Sequence, residues 1–489
     1  MKTIFILLDS LNRHYLPAYD GWAITPNIDR LAARGTVFDN HYSGSLPCMP
    51  ARRDMLTGRL NFLEAPWGPI EPWDDCVPVL LRQQQGIYSH LITDHYHYFH
   101  SGGEAYHTLF DSWELERGQE GDAWRPLVRE PEHPPTRGKG QVRRAYWSNR
   151  ALMDSESDEA YSTPRCFQRA IEFLELNHAE DNWHLHLELF DPHEPFDCPS
   201  RYLEMYNDTW DGRYLYNWPQ YGQINPELDD TAAIAHVRRR YGGVLTMADV
   251  WLGRLLDKMD EYGLWNDTTV ILTTDHGHLL GEHGYWGKNQ MFDYNELAHI
   301  PLITCRPGDA GGRRIEQGLT TTIDLAPTIL ALHGAQPGEW MRGQSLLHLL
   351  DQDGPHHAGV LYGYFGKDIN LTDGRYTYCR QPLEGSVAYH HTAMPRAYAD
   401  FLPREVLAGA ETGVFLPHAR GIPHYRMAVP SRRHLDAAPF NPVYDMLTDP
   451  GQTNPIHDPA LEARLVEQMR ELMKQHDVPE NEYKRVGLG

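Results

Sequence analysis

The chain has 489 residues, 41% of them hydrophobic and 23% charged, a balance that excludes a disordered protein and suits one large domain plus a smaller one. Its 44 basic and 67 acidic residues leave a net charge of −23, which argues against nucleic acid as a partner, although a local cluster of cations could still hold a small anion. The six cysteines stand far apart with no C-x-x-C pair, so neither a zinc module nor a disulfide framework is expected.

The first element, "TIFILLD", is an apolar run too short to span a membrane and reads as a buried strand ending on Asp9. The opening "MKTIFILLDSLNRH" has no small-residue cleavage site, and no later run approaches ~20 apolar residues; a cytoplasmic protein without membrane association is expected. "TPNIDRLAARG" (Thr25 to Gly35) predicts a helix with a Thr cap and Pro at its first position. Further along, "TVFDNHY" reads as a strand, "VPVLLRQQQG" as a helix and "YSHLITD" as a strand. "CFQRAIEFLELN" reads as a helix and "WHLHLELFD" as extended. A long helix from about Ala233 to Tyr262 precedes the strand "TTVILTTD", and "TTIDLAPTILALHG" is another capped helix.

Strands alternating with helices predict an α/β fold with a large mixed, mostly parallel sheet flanked by helices. After about residue 355 the pattern changes to short antiparallel strands closed by the amphipathic helix "PALEARLVEQMRELMKQH". The expected division is therefore a catalytic domain over 1–355 and a smaller α+β domain over 356–489. The segments 194–230 and 385–433 resist assignment and read as long loops of the kind that wall a pocket or an interface.

Three strands end on an aspartate: Asp9, Asp94 and Asp275. Ligands of open α/β sheets gather beyond the carboxyl ends of strands, so these acids stand where chemistry is expected. In "TTDHGHLLGEHGYWGK", Asp275 and His276 offer an oxygen and a nitrogen to a divalent ion, and Gly277 lets the backbone turn; Asp9 could complete such a site. Each acid taken alone is equally a cap or turn former.

Taken together, "CMPAR" followed by "LTGR", then "FDPHEPF", "TTDHGHLLGEHGYWGK" and "VYDMLTDPGQTNPI", resemble the sulfatases of the alkaline phosphatase superfamily, in order and over most of the chain. The resemblance implies that Cys48 is oxidised after translation to formylglycine, with Pro50 and Arg52 as the core of the recognition pattern, and that a formylglycine-generating enzyme is a maturation partner. Ala51 stands where many sulfatases have Ser. The hydrated aldehyde is a diol: one oxygen attacks the ester and its twin then expels the anion, which splits one hard step into two.

The same resemblance implies Asp9, Cys48, Asp275 and His276 as ligands of one divalent metal, Ca2+ or Mn2+ ahead of Mg2+, and Arg52 as the residue that holds the diol. Lys288 and His193 would bind the ester oxygens, with His193 as acid for the departing alcohol. His95 and His97 fall where sulfatases often carry a Lys and a His. His97 would be the base of the release step, and His95 would touch substrate. A separate metal site within His90, His95, His97, His100 and His107 is disfavoured, because strand alternation would send several to opposite faces.

Ser10 replaces an acid that many sulfatases carry and places the chain nearest the branch that includes choline sulfatase and the phosphonate monoester hydrolases. The expected activity is hydrolysis of a sulfate ester of a small molecule or sugar. Phosphonate monoester or phosphodiester hydrolysis at the same site is the alternative, and a catalytically silent relative is a remote one. The partner is then a small anionic ester. The oligomeric state stays open, with the branch resemblance favouring a symmetric homo-oligomer.

Overall fold

The computed structural model describes residues 1–489. Strand β1 (Lys2–Leu8) is buried along its whole length, and alternate side chains leave it on opposite faces. Ile4, Ile6 and Leu8 enter one core, and Phe5 and Leu7 another. That explains the unbroken apolar run: a strand covered on both sides needs apolar residues at every position.

Around β1 an eight-stranded sheet is built from β2 (Thr36–Phe38), β3 (Tyr88–Thr93), β4 (Ser112–Leu115), β5 (Trp183–Leu189), β6 (Thr268–Thr273), β7 (Leu302–Cys305) and β8 (Arg313–Ile315), in the order β8-β2-β7-β6-β1-β5-β3-β4. The strands β4, β3, β5, β1 and β6 run parallel, and β7 is antiparallel to both β6 and β2. The sheet is thus mixed and mostly parallel, as expected.

Helices α1 (Pro26–Arg34), α4 (Ser162–Asn177) and α5 (Thr231–Glu261) cover one face. The other is covered by α2 (Cys48–Thr57), α3 (Val77–Gln85) and α6 (Leu325–Leu332). No helix is long and apolar enough to cross a membrane.

Beyond this body, β9 (Val360–Tyr364), β10 (Ile369–Thr372), β11 (Tyr376–Arg380) and β12 (Val443–Asp445) form an antiparallel sheet against which α7 (Pro459–Gln475) packs. Its fifth strand comes from far upstream: Ser45–Leu46 pairs in parallel with Gly363 and Tyr364. The C-terminal sheet therefore holds the segment just before Cys48.

Three local expectations need correction. Thr25 makes no side-chain cap for α1; the Asp249 carboxylate on α5 accepts the free N–H groups of Asn27 and Ile28 instead. "TVFDNHY" is two strands, β2 and His41–Tyr42, that pair in different sheets. The segment 385–433 is no simple loop, because Val387–Thr392, Glu411–Gly413 and His424–Pro430 form an antiparallel sheet. By contrast, 194–230 is mostly irregular, apart from the short helix Ser200–Glu204 and the pair Gly222–Gln223.

Candidate active site

Register brings the acids together. Leu7 of β1 faces Thr273 of β6, so the chain positions that follow these neighbouring strands, Asp9 and Asp275, emerge side by side. The Ser10 N–H donates to Asp275 Oδ1 at 3.1 Å, and the Ser10 hydroxyl to Asp9 Oδ1 at 2.9 Å. His276 follows directly, and a Cβ on Gly277 would lie 1.9 Å from the Glu296 carbonyl oxygen, so only glycine fits there.

Cys48 opens α2, whose residues are all buried. Arg52 lies one turn later on the same helix face. Its Nη1 donates to the Cys48 carbonyl at 3.2 Å and to Asp275 Oδ2 at 2.7 Å, its Nη2 lies 3.0 Å from Asp9 Oδ2, and its Nε donates to Glu188 Oε2 at 3.1 Å. The Lys288 ammonium completes the cluster, 3.1 Å from Ser10 Oγ and 3.2 Å from both Cys48 Sγ and His276 Nε2.

The donor set fits a divalent ion. Ligand atoms of Asp9, Cys48, Asp275 and His276 all lie within 4.8 Å of one another. His276 Nδ1 is engaged by the Gly277 carbonyl at 2.8 Å, which leaves Nε2 to face the cluster. Asp9 Oδ2 is buried without a hydrogen bond. Three buried carboxyl groups, Asp9, Asp275 and Glu188, face two buried cations, Arg52 and Lys288, so a dication is electrostatically welcome.

The titrating groups follow the same logic. Burial and the neighbouring Asp275 charge push the Asp9 carboxyl well above its ordinary range. Burial also pushes Asp275 upward, but His276, Arg52 and Lys288 outweigh it and hold this acid below its ordinary range. Burial and Asp9 push the Cys48 thiol up, so an unmodified thiolate nucleophile is disfavoured. Burial lowers His276 to about 3 and keeps it neutral, as a metal ligand must be.

The histidines sort into distinct places. His95 is fully buried 3.9 Å from Asp9 Oδ2, with neither ring nitrogen hydrogen-bonded. His97 stacks edge-on against it, while its ring nitrogens go to His100 Nδ1 at 3.3 Å and Glu120 Oε2 at 3.4 Å. His193 sets Nδ1 2.6 Å from the Glu194 carbonyl, and burial lowers it to about 4. His90 pairs instead with Ser112 and Glu114 at the sheet edge. Asp94 receives the Phe190 N–H and the Thr163 hydroxyl, so the third strand-end acid braces the fold.

Sequence reasoning missed several neighbours. Glu188 had a signal, the one acid among the polar positions that alternate with apolar ones along β5. Lys139 had none, because it comes from a short 3-10 helix (Gly138–Val142) without apolar periodicity; its ammonium donates to Glu194 Oε1 at 2.9 Å and sits 3.1 Å from the centre of the Tyr221 ring. His278, two residues past His276, lies 3.7 Å from Glu194 Oε2. Beside Pro47, a cavity of about 480 Å³ is walled by Trp67, Tyr364 and Phe365 and by Leu402, Val406 and Met427 from the 385–433 segment.

Residues 2–335 match the family model described as Sulfatase. The chain belongs to the sulfatase family. It is therefore a hydrolase of the alkaline phosphatase-like fold. Among curated relatives, this sulfatase is 26% identical over 477 residues to the multifunctional alkaline phosphatase superfamily protein PehA of Trinickia caryophylli, covering 82% of this chain and 88% of that one. It is 23% identical over 386 residues to a choline-sulfatase of Rhizobium meliloti, covering 71% of each. The crystal structure of a phosphonate monoester hydrolase of Agrobacterium radiobacter superimposes with a TM-score of 0.67 at 17% identity, covering 97% of this chain and 96% of that one.

Proposed function

We propose that this sulfatase hydrolyses the sulfate ester of a small organic molecule or sugar, using formylglycine made from Cys48 and one divalent ion. The observation that carries this reading is the convergence of Cys48, Asp9, Asp275 and His276 on one point, with Arg52 and Lys288 beside them. A formylglycine-generating enzyme is the maturation partner that this requires. Ca2+ and Mn2+ are the ions proposed, ahead of Mg2+, and the site of action proposed is the cytoplasm.

The hydrated formylglycine carries two hydroxyls, one to attack the ester and one to release the anion. Asp9, Asp275, His276 and residue 48 would hold the ion, which would supply Lewis acidity toward the anionic ester. Arg52, gripped by three carboxylates, fixes the start of α2 and keeps residue 48 against the acids. Lys288 binds a non-bridging ester oxygen, and His95 adds a second polar contact from the buried side. His193, with Nδ1 donating to the Glu194 carbonyl, carries a second proton on Nε2 for the departing alcohol only as the imidazolium, the form that the Glu194 carboxylate 3.5 Å away and a bound anionic ester favour. His97, oriented by Glu120, takes the proton in the release step. Preorganised charge of this kind commonly supplies the largest share of catalysis.

Ser10 favours a second reading. A hydroxyl bonded to both Asp9 and Lys288 occupies the place of an acid that many sulfatases use, so the same site suits a phosphonate monoester or phosphodiester. Parallel kinetics on an aryl sulfate, an aryl phosphonate monoester and an aryl phosphodiester decide between them. The first reading expects the highest kcat/KM on the sulfate and no turnover of any ester by Cys48→Ala. A preference for the phosphonate would establish the second, and full activity in Cys48→Ala would remove both.

A further inference from the structure

A second group of metal-binding side chains lies away from the catalytic cluster and shares no residue with it: Asp324, His356 and His357, whose ligand atoms are all within 4.8 Å of one another. Asp324 belongs to the capping box that opens α6, and the two histidines lie in the irregular segment just before β9. The α/β body and the C-terminal sheet meet here.

The geometry is that of ligands rather than of one ion pair. His357 Nε2 lies 2.9 and 3.0 Å from the two Asp324 oxygens. His356 Nε2 lies 3.4 Å from Asp324 Oδ2 but makes no hydrogen bond, although its side chain is only 1% exposed. A salt bridge to His357 leaves that buried nitrogen without a partner. Bonds of about 2.0 Å to a tetrahedral ion put neighbouring ligand atoms about 3.3 Å apart, close to the separations seen.

The surrounding contacts hold the set in place. Asp324 is pinned by the backbone N–H groups of Thr321 at 2.9 Å and Gln344 at 2.8 Å. The outer nitrogen of His356 meets His348 Nε2 at 3.4 Å, and that of His357 meets the Gln344 amide at 3.4 Å, which can turn to present its oxygen. Outer partners of this kind orient imidazoles whose Nε2 binds a metal. Two further histidines feel the Asp324 charge, His41 and His476, each with one buried, unpartnered ring nitrogen.

We propose that Asp324, His356 and His357 form a second divalent-metal site, selective for a Zn2+-class ion, that ties the α/β body to the C-terminal sheet. Two imidazoles and one carboxylate form a borderline donor set suited to Zn2+ and Co2+ rather than to Ca2+ or Mg2+. A solvent molecule would take the fourth position.

The test uses the full chain with its catalytic metal site disabled by Asp275→Asn. After chelation, reloading with Zn2+ and dialysis, the D275N protein should retain one equivalent of zinc, and Co2+ loading should give the intense visible bands of a tetrahedral site. Adding His356→Ala or, in a separate protein, His357→Gln should remove that equivalent and abolish the rise in melting temperature that Zn2+ gives D275N. The proposal is overturned if D275N retains no zinc and shows no tetrahedral cobalt spectrum, or if the added substitutions leave zinc content unchanged. The cobalt spectrum of D275N decides the matter even where a second substitution prevents folding, because an ion left with Asp9, Cys48 and His276 would show the near-ultraviolet charge-transfer band of a thiolate ligand, which a site made by Asp324, His356 and His357 lacks.

Discussion

Arg52 is a buried guanidinium shared among Asp9, Asp275 and Glu188, and Glu188 is the partner that lies outside the donor set. Burial alone would raise the Glu188 carboxyl, yet Arg52, His186 and Tyr98 hold it down at about 2. A depressed acid stabilises the fold at every pH above its unfolded value and loses that contribution as pH falls through the folded value, here between about 4.5 and about 2. Glu188→Gln keeps the shape and removes the charge. It should lower kcat roughly 10- to 100-fold by loosening Arg52. It should also cost about 3 kcal/mol in urea unfolding, as breaking a buried pair does. Unchanged kinetics and an unchanged unfolding midpoint would show that Glu188 is a bystander.

Among the elements, α1 shows how far local rules reach. Pro26 at its start and Gly35 at its end were readable, but the cap was not, because Asp249 arrives from the middle of α5, far along the chain. Asp249→Ala should destabilise the protein by about 1–2 kcal/mol, measured by urea denaturation, with kcat unchanged. A loss of activity without a loss of stability would mean that α1 serves the site directly. The contrast between segments has the same origin. β1 and β6 were plain in the sequence because both of their faces are buried, and their ends therefore announced Asp9 and Asp275. Val387–Thr392 and His424–Pro430 were hidden, because His390, His391 and His424 fill buried positions where apolar residues would mark a strand. Lys139 could not be found at all, since nothing in the glycine-flanked 3-10 turn that carries it shows that it folds back onto Glu194.

For the whole molecule, the histidines matter more than the net charge. Burial pushes His390 down to about 3, and His184 and His434 lie well below their ordinary value. The unfolded chain takes up protons at these positions as pH falls through about 6.5 while the folded protein does not, so stability drops from there toward the folded values. Each group costs up to about 2 kcal/mol at pH 5. Buried acids with raised values, such as Asp54, Glu71 and Asp368 at about 7, take up protons in the folded state over the same window and oppose this. The lowered histidines outnumber them, so the melting temperature should show a net fall between pH 7 and pH 5. A flat profile over that window would show that these rings are solvated or paired. The Ser45–Leu46 strand adds a second consequence at this scale: because the C-terminal sheet holds the segment before Cys48, loosening that sheet and losing activity should go together.

The decisive measurement is a crystal structure of active enzyme with diffraction collected at the edge of its bound metal. The account requires density at residue 48 that ends in hydroxyl oxygens rather than sulfur, and an anomalous peak between that side chain and Asp9, Asp275 and His276. An intact thiol at position 48 in fully active crystals, or a metal bound away from those carboxylates, would contradict it.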